Sequence, residues 1–183
     1  SLLELDRNAQ ALSLIENALE LQPGSRAGLL LLASAQNWDA ARETLAELQA
    51  EFPDDENIKR QLGLHLAPRE PEAALAHLSL DDDAAALARC GCLRALERLE
   101  EAVAAAEAAT ALAPSRLEAW LALGWSALEA GDAERAGKAF DGALGCGEAD
   151  PEALAGKATA LEALGKPADE LRRLLAEAEP ELA

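Results

Sequence analysis

Apolar residues recur along this chain in groups that have helical spacing and a fixed internal order. In each group a second apolar residue follows the first after four positions, a third follows after three, and a proline comes five positions later. The full group occurs at Ala11, Ile15, Ala18 and Pro23, at Ala41, Leu45, Leu48 and Pro53, and at Ala102, Ala106, Ala109 and Pro114. Spacings of three and four place these side chains on one helix face. The pattern therefore predicts helices that a proline ends.

The groups also repeat with a fixed period. A fourth group at Ala136, Phe140 and Ala143 lacks the proline, and Ala136 lies 34 residues after Ala102. Gly131 and Gly165 are 34 residues apart as well. A period of this size is typical of stacked repeats. Strand formers are scarce, with one Val, two Ile and no Tyr, so the fold class is predicted to be all-α.

The pattern divides the chain into a single array of helix pairs. We expect a half repeat at residues 1–23, followed by repeats at about 24–53, 54–80, 81–114, 115–149 and 150–183, the last with a capping helix. Residues 2–6 are predicted to be a helix tail or turn, and Asp39 is predicted to cap a helix over residues 40–51. The least regular second helix is expected at residues 72–80, because Pro68 and Pro71 interrupt the pattern before it.

Residues 120–140 carry a more specific signal. Trp120, Leu123 and Gly124, followed by Ala136 and Phe140, resemble the tetratricopeptide repeat signature W-x2-L-G-x2-Y, then A-x3-F. The tyrosine position of that signature holds alanine here, and the interval between the first two prolines is 30 residues instead of 34. The resemblance implies an α-solenoid, a right-handed superhelix of antiparallel helix pairs, whose concave groove holds peptide segments of partners.

Candidate binding residues are the apolar and basic residues that helix stacking does not use. The segment 116–130 uses Trp120, Leu123, Gly124 and Ala127 for stacking, which leaves a second apolar stripe. The resemblance places this stripe, and its equivalents in other repeats, in the groove. The predicted groove residues are Arg60, Leu64, Leu87, Arg94, Leu121, Trp125 and Leu128.

Within that set we expect Trp125 to act as an aromatic anchor. Arg60 and Arg94 are expected to be isolated cations, and Arg94 to meet an acidic residue of the partner. The alternative is that Trp125 packs on an adjacent helix or on the chain's own last helix. The clamp for a C-terminal carboxylate that some family members carry is absent, because Leu87, Gly91 and Leu121 lie where it would need polar residues.

The net charge of −18 limits the choice of partner. Nucleic acids and anionic membrane surfaces are disfavoured, since binding them relies on Lys and Arg. A protein or peptide partner of apolar or basic character is expected. Alternatively, the acidic residues coat solvated helix faces. No apolar run is long enough for a transmembrane helix, so membrane insertion is not expected.

Little in the sequence points to catalysis, a cofactor or a metal. Cys90, Cys92 and Cys146 lack the spacing of a disulfide framework or a zinc site. The acidic run at residues 81–83 is expected to cap a helix, in preference to binding calcium. His65 and His77 are expected in packing or surface roles.

The sequence therefore predicts a non-enzymatic scaffold or adaptor that binds a segment of a partner protein. Two alternatives stay open: a substrate-positioning module of a larger glycosyltransferase or sulfotransferase, and a self-assembling domain. The start at Ser1, inside a repeat, suggests a domain of a longer chain. The Ala- and Leu-rich composition suggests a bacterial origin. Unpaired cysteines and the lack of a visible signal peptide favour the cytoplasm.

Overall fold

The computed structural model describes residues 2–22, 24–147 and 150–178. These residues form helices joined by short turns, and they contain no strand. The helices are α1 (Leu2–Leu21), α2 (Arg26–Ala35), α3 (Trp38–Glu51), α4 (Glu56–Leu66), α5 (Pro71–Ala74), α6 (Asp83–Ala95), α7 (Leu99–Leu112), α8 (Leu117–Glu129), α9 (Ala133–Leu144), α10 (Pro151–Ala163) and α11 (Asp169–Ala178). Among them, none combines the length and apolarity that crossing a membrane requires.

Short polar side chains define where many of these helices begin. Each accepts a hydrogen bond from a backbone N–H of the first turn, which otherwise lacks a partner. The residues that do so are Ser25, Asn37, Asp55, Asp82, Asp132 and Asp150. The capping role predicted for residues 81–83 is therefore confirmed. The prediction for Asp39 is wrong, because Asn37 caps α3 and Trp38 is its first residue.

The 34-residue period reappears in the backbone at three helix ends. Glu97, Gly131 and Gly165 adopt positive φ angles of 58°, 81° and 67°. At each one the following N–H bonds back to a carbonyl five residues earlier, over 2.8–2.9 Å. This arrangement ends a helix while satisfying its last carbonyls. The first of the three positions holds glutamate where the other two hold glycine.

Two predicted segments differ in the structure. Of the helix tail or turn predicted for residues 2–6, the structure shows helix, since α1 runs without interruption from Leu2 to Leu21. The helix predicted at residues 72–80 is only α5, four residues long, because the chain folds back after it. Leu78 then packs on α4, where a Cβ added to Gly63 would lie 2.9 Å from the leucine side chain. The buried side chain of Leu78 thus covers the part of α4 that a full-length second helix was expected to cover.

The chain divides into two compact units. The N-terminal unit, Ser1–Leu78, contains α1 to α5, and the C-terminal unit, Ser79–Ala183, contains α6 to α11. Within each unit, consecutive helices pack against each other. The single array over residues 1–183 stays a prediction.

The core of the C-terminal unit is built around one aromatic ring. Phe140 is fully buried, and Cβ atoms added to Gly124 or Gly156 would lie 2.6 Å or 2.3 Å from its ring. Similarly, a Cβ on Gly142 would lie 2.5 Å from Trp120. These glycines therefore admit large rings between the helices.

Candidate partner-binding face

The predicted groove residues fall into both units. Arg60 and Leu64 lie on α4 in the N-terminal unit, Leu87 and Arg94 on α6, and the other three on α8. We define the α6–α8–α10 face as Leu87, Arg94, Trp125, Leu128, Glu129 and Glu152.

Trp125 is partly buried and held at two points. Its ring meets that of Phe140 edge to face, with centroids 5.2 Å apart at 75°. Its indole Nε1 donates a hydrogen bond to Glu152 Oε1 on α10 over 2.8 Å. This tryptophan therefore packs on adjacent helices, as the alternative prediction stated. The ring is fixed in one orientation while part of its surface stays accessible, which suits an anchor.

Arg94 is not the isolated cation that the sequence predicted. Its guanidinium forms a two-pronged ion pair with Glu129 on α8, in which Nε donates to Oε2 over 2.8 Å. The hydrogen bonds from Arg94 hold the pKa of the Glu129 carboxyl below its usual range. The same bonds raise the pKa of Arg94. Glu129 comes thirty-five residues after its partner, so the pairing of these two charges depends on repeat stacking.

Leu121 also differs from the prediction. It is only 9 % exposed, because α8 contacts the helices on both sides of it. Leu87 packs against the core formed by Ala86, Ala109 and Ala119, yet it remains partly accessible. Leu128 is partly accessible too. The apolar part of the α6–α8–α10 face is therefore narrower than expected.

In the N-terminal unit, Arg60 is engaged as well, since its Nη2 donates to Asn57 Oδ1 over 2.9 Å. Leu64 instead lines an open crevice of about 230 Å³ between α2 and α4. Leu30 and Ser34, which occupy the predicted groove register of α2, line it too. The other lining residues are Ala33, Leu45, Gln61 and His65.

Next to the crevice, three side chains stack in layers. The Trp38 ring lies on the His65 ring, with centroids 5.4 Å apart, and the Arg69 guanidinium lies 4.7 Å from the Trp38 centroid. Trp38 Nε1 donates to the His65 carbonyl over 3.1 Å, and His65 Nε2 lies 2.8 Å from the Trp38 carbonyl. These contacts give His65 the packing role that was predicted.

Two of the three cysteines are buried within the C-terminal unit. Cys90 and Cys92 are free and buried, and burial raises the pKa of both thiols. A thiol of raised pKa stays protonated near neutral pH and is a poor nucleophile or ligand. Within the described part of the chain, no group of three or more His, Cys, Asp or Glu side chains is arranged to hold a metal ion.

One part of the chain matches a known protein family. Residues 93–153 match the family model for the tetratricopeptide repeat. A search of the curated proteins finds no match.

Solved structures resemble the chain over most of its length. PilW, a widely conserved type IV pilus biogenesis factor, has a TM-score of 0.81 at 22% identity and covers 98% of this chain and 89% of its own. YrrB, a TPR protein with an unusual peptide-binding site, has a TM-score of 0.67 at 20% identity, covering 85% and 86%. A thermophilic TPR protein of Thermus thermophilus has a TM-score of 0.62 at 26% identity, covering 88% and 94%.

These matches agree with the packing described above, in which small residues admit large rings between paired helices. The predicted fold class and the predicted resemblance are both confirmed: the chain is all-α, its residues 93–153 match the tetratricopeptide repeat, and its fold is similar to that of solved tetratricopeptide repeat proteins.

Proposed function

We propose that this protein is an interaction scaffold that binds a peptide or helical segment of a partner protein. The proposed contacts are the α6–α8–α10 face in the C-terminal unit, and Arg60 and Leu64 in the N-terminal unit. The observation that carries the proposal is Trp125, a partly exposed ring that Phe140 and Glu152 hold in place. The fold supports it as well, since YrrB, a structural neighbour, has a peptide-binding site.

The charges around Trp125 favour an apolar partner segment with a basic residue. Glu129 neutralises Arg94, so an acidic partner residue would have to compete with a carboxylate already in place. Glu129 and Glu152 outnumber the single cation of this face. A lysine or arginine beside the apolar anchor of the partner would complement them.

The test uses peptides selected from a random displayed library on the wild-type protein. Trp125→Ala should weaken the selected peptides strongly, because large central rings dominate binding energy. Glu129→Gln should weaken them several-fold and reduce the salt dependence of binding. Isothermal titration calorimetry measures both changes.

The matched control for the charge change is Glu107→Gln. Glu107 also pairs with an arginine of another helix, Arg135, over 3.4 Å, but both lie on second helices, α7 and α9. This control should leave the affinity unchanged. Equal affinity of Trp125→Ala and wild type, with circular dichroism showing both folded, would refute the proposal.

A second candidate function, self-association, is favoured by one observation on α1. Leu14 and Leu21 are 70% and 85% exposed, and Ala18 is exposed where the equivalent Ala109 and Ala143 are buried. Sedimentation over a concentration series should then show an average mass that rises with concentration. Leu14→Glu should abolish the rise, and Leu112→Glu, a control on α7, should not. A strict monomer at all concentrations would exclude this function.

A further inference from the structure

Each repeat consists of a first helix and a second helix, and three pairs of neighbouring first helices can be compared by what lies between them. One pair is α8 and α10, one is α6 and α8, and one is α2 and α4. The residues between them occupy equivalent repeat positions, because Leu45, Ala106 and Phe140 are the middle members of the same apolar group. The side chains at these equivalent positions can therefore be compared directly.

Aromatic rings lie between α8 and α10. Phe140 rises from α9 between Gly124 and Gly156, whose added Cβ atoms would both collide with its ring. The Trp125 ring then covers it from α8, edge to face. The two rings therefore occupy the space between α8 and α10.

The contact between α6 and α8 is of a different kind. Its central residue is Ala106, fully buried, and the adjoining positions on α6 are also small. The two first helices meet directly there, where Cys90 Sγ lies 3.2 Å from Ser126 Oγ. Small side chains therefore form the contact between these two helices.

The α2–α4 crevice has neither filling. Leu45 stands where Phe140 does, and Ser34 stands where Trp125 does, so both rings are missing. Ala33 and Gln61 stand where the two glycines do, and both line the crevice. The result is the open space of about 230 Å³. An apolar cavity of about 150 Å³ is enough to hold benzene.

The chemistry of the lining points to an uncharged ring. Its residues are Leu30, Ala33, Ser34, Leu45, Gln61, Leu64 and His65, none of which is Asp, Glu, Lys or Arg, in a chain of net charge −18. The Ser34 hydroxyl already donates to the Leu31 carbonyl, and His65 Nε2 is held by Trp38. The His65 ring forms part of the wall and offers a surface on which another ring can pack.

We propose that the α2–α4 crevice binds an aromatic side chain of the partner segment. That side chain would supply in trans the ring that Phe140 and Trp125 supply within the C-terminal unit. The inference rests on the proposed function, because it assumes that the ring arrives on a bound peptide.

The probe is N-acetyl-phenylalanine amide, titrated into 15N-labelled full-length protein and followed by NMR. We expect saturable shifts of the backbone amides of Ser34, Leu64 and His65, with a dissociation constant of roughly millimolar order. N-acetyl-leucine amide should bind at least about threefold more weakly, because it lacks a ring to pack against His65. N-acetyl-alanine amide should produce no such shifts.

Two tryptophan variants on the same helix provide the decisive comparison. Ser34→Trp restores the residue type found at the equivalent α8 position and should weaken the phenylalanine probe at least about tenfold. Leu31→Trp adds the same ring at an exposed site outside the crevice and should leave binding within about twofold. Should Ser34→Trp fail to fold, Ser34→Leu fills part of the space and should weaken the probe about fivefold.

The inference is overturned if the phenylalanine probe causes no saturable shift at these residues. Equal binding of the leucine probe, or unchanged binding to folded Ser34→Trp, also overturns it. If the probe fails while Trp125→Ala still weakens the selected peptides, only the crevice assignment falls. If the probe binds while Trp125→Ala has no effect, the assigned face is wrong and the crevice stands as a ring-binding site.

Discussion

At the scale of single residues, glycine determines where rings fit between helices. Gly124 and Gly156 lie on opposite sides of Phe140, and neither leaves space for a methyl group. Such close packing makes a core sensitive to single carbon atoms. Each glycine lies inside a helix, where it weakens the helix itself, so its presence indicates a packing requirement.

Gly124→Ala should therefore destabilise the protein by about 1–3 kcal/mol, since the new Cβ would lie 2.6 Å from the Phe140 ring. Gly137→Ala is the matched control within α9. Its added Cβ would meet nothing closer than Ala160 Cβ at 4.0 Å. This control should stabilise the protein by about 0.5–1 kcal/mol through helix propensity. Urea unfolding gives both values, and equal effects of the two substitutions would contradict the packing argument.

At the scale of helices, the ends of α6, α8 and α10 follow one design with one exception. All three place a residue at positive φ, and only α6 uses a residue other than glycine there. A left-handed conformation brings a Cβ too close to the next carbonyl oxygen. The backbone at Glu97 is therefore strained, whereas the equivalent positions of the other two repeats avoid this strain with glycine.

Glu97→Gly should raise the free energy of unfolding by about 1 kcal/mol, because glycine adopts this conformation without a steric cost. The reverse change at the equivalent position, Gly131→Ala, should lower it by a similar amount. Differential scanning calorimetry would show the two melting temperatures moving in opposite directions. A lower melting temperature for Glu97→Gly would show that the glutamate makes a compensating contact.

The helices also show which features of the fold the sequence pattern predicts and which it does not. Helices α7 and α9 bury the apolar groups that the sequence pattern places on one helix face, because local spacing alone sets those faces. The break at α5 was not predictable in its extent, since it depends on Leu78 folding back onto Gly63. A single sequence does not reveal such a contact between residues fifteen positions apart in the chain.

For the candidate face, the sequence predicted which helix positions belong to it, but not which of its side chains are paired or buried. Periodicity predicted Trp125 to be a residue that stacking does not use, whereas in the structure its ring packs on Phe140 and only part of it is accessible. The pairing of Arg94 with Glu129 was missed, because it joins residues in successive repeats. Lining up the repeats would have placed the two charges near each other. The burial of Leu121 depends on helices from both neighbouring pairs, and α8 alone gave no indication of it.

At the scale of the whole molecule, paired carboxylates make stability depend on pH. Hydrogen bonds from arginine lower the pKa of Asp55, Glu101, Glu129 and Glu162. A lowered pKa means that the unfolded chain binds more protons in this range, so the contribution is present above the ordinary pKa. It is lost as the pH falls through the folded value. Acid also relieves the repulsion within a chain of net charge −18, so the overall profile mixes two effects.

A difference measurement isolates one of these pairs. At pH 6, Glu129→Gln should be less stable than wild type by less than about 1 kcal/mol, as expected for a partly exposed ion pair. The difference should shrink as the pH falls below 4.5, the ordinary value for glutamate, and should vanish once the wild-type carboxyl is protonated. Thermal unfolding of both proteins between pH 3 and 7 tests this. A difference that stays constant over the range would contradict the assigned pairing.

The central claim is that the ring of Trp125 anchors a partner segment. The most direct test is the ratio of dissociation constants for one library-selected peptide on Trp125→Ala and on the wild type, measured by calorimetry under identical salt. We expect a ratio of about 30 or more, equivalent to about 2 kcal/mol. A ratio near one, with the variant folded, would contradict it.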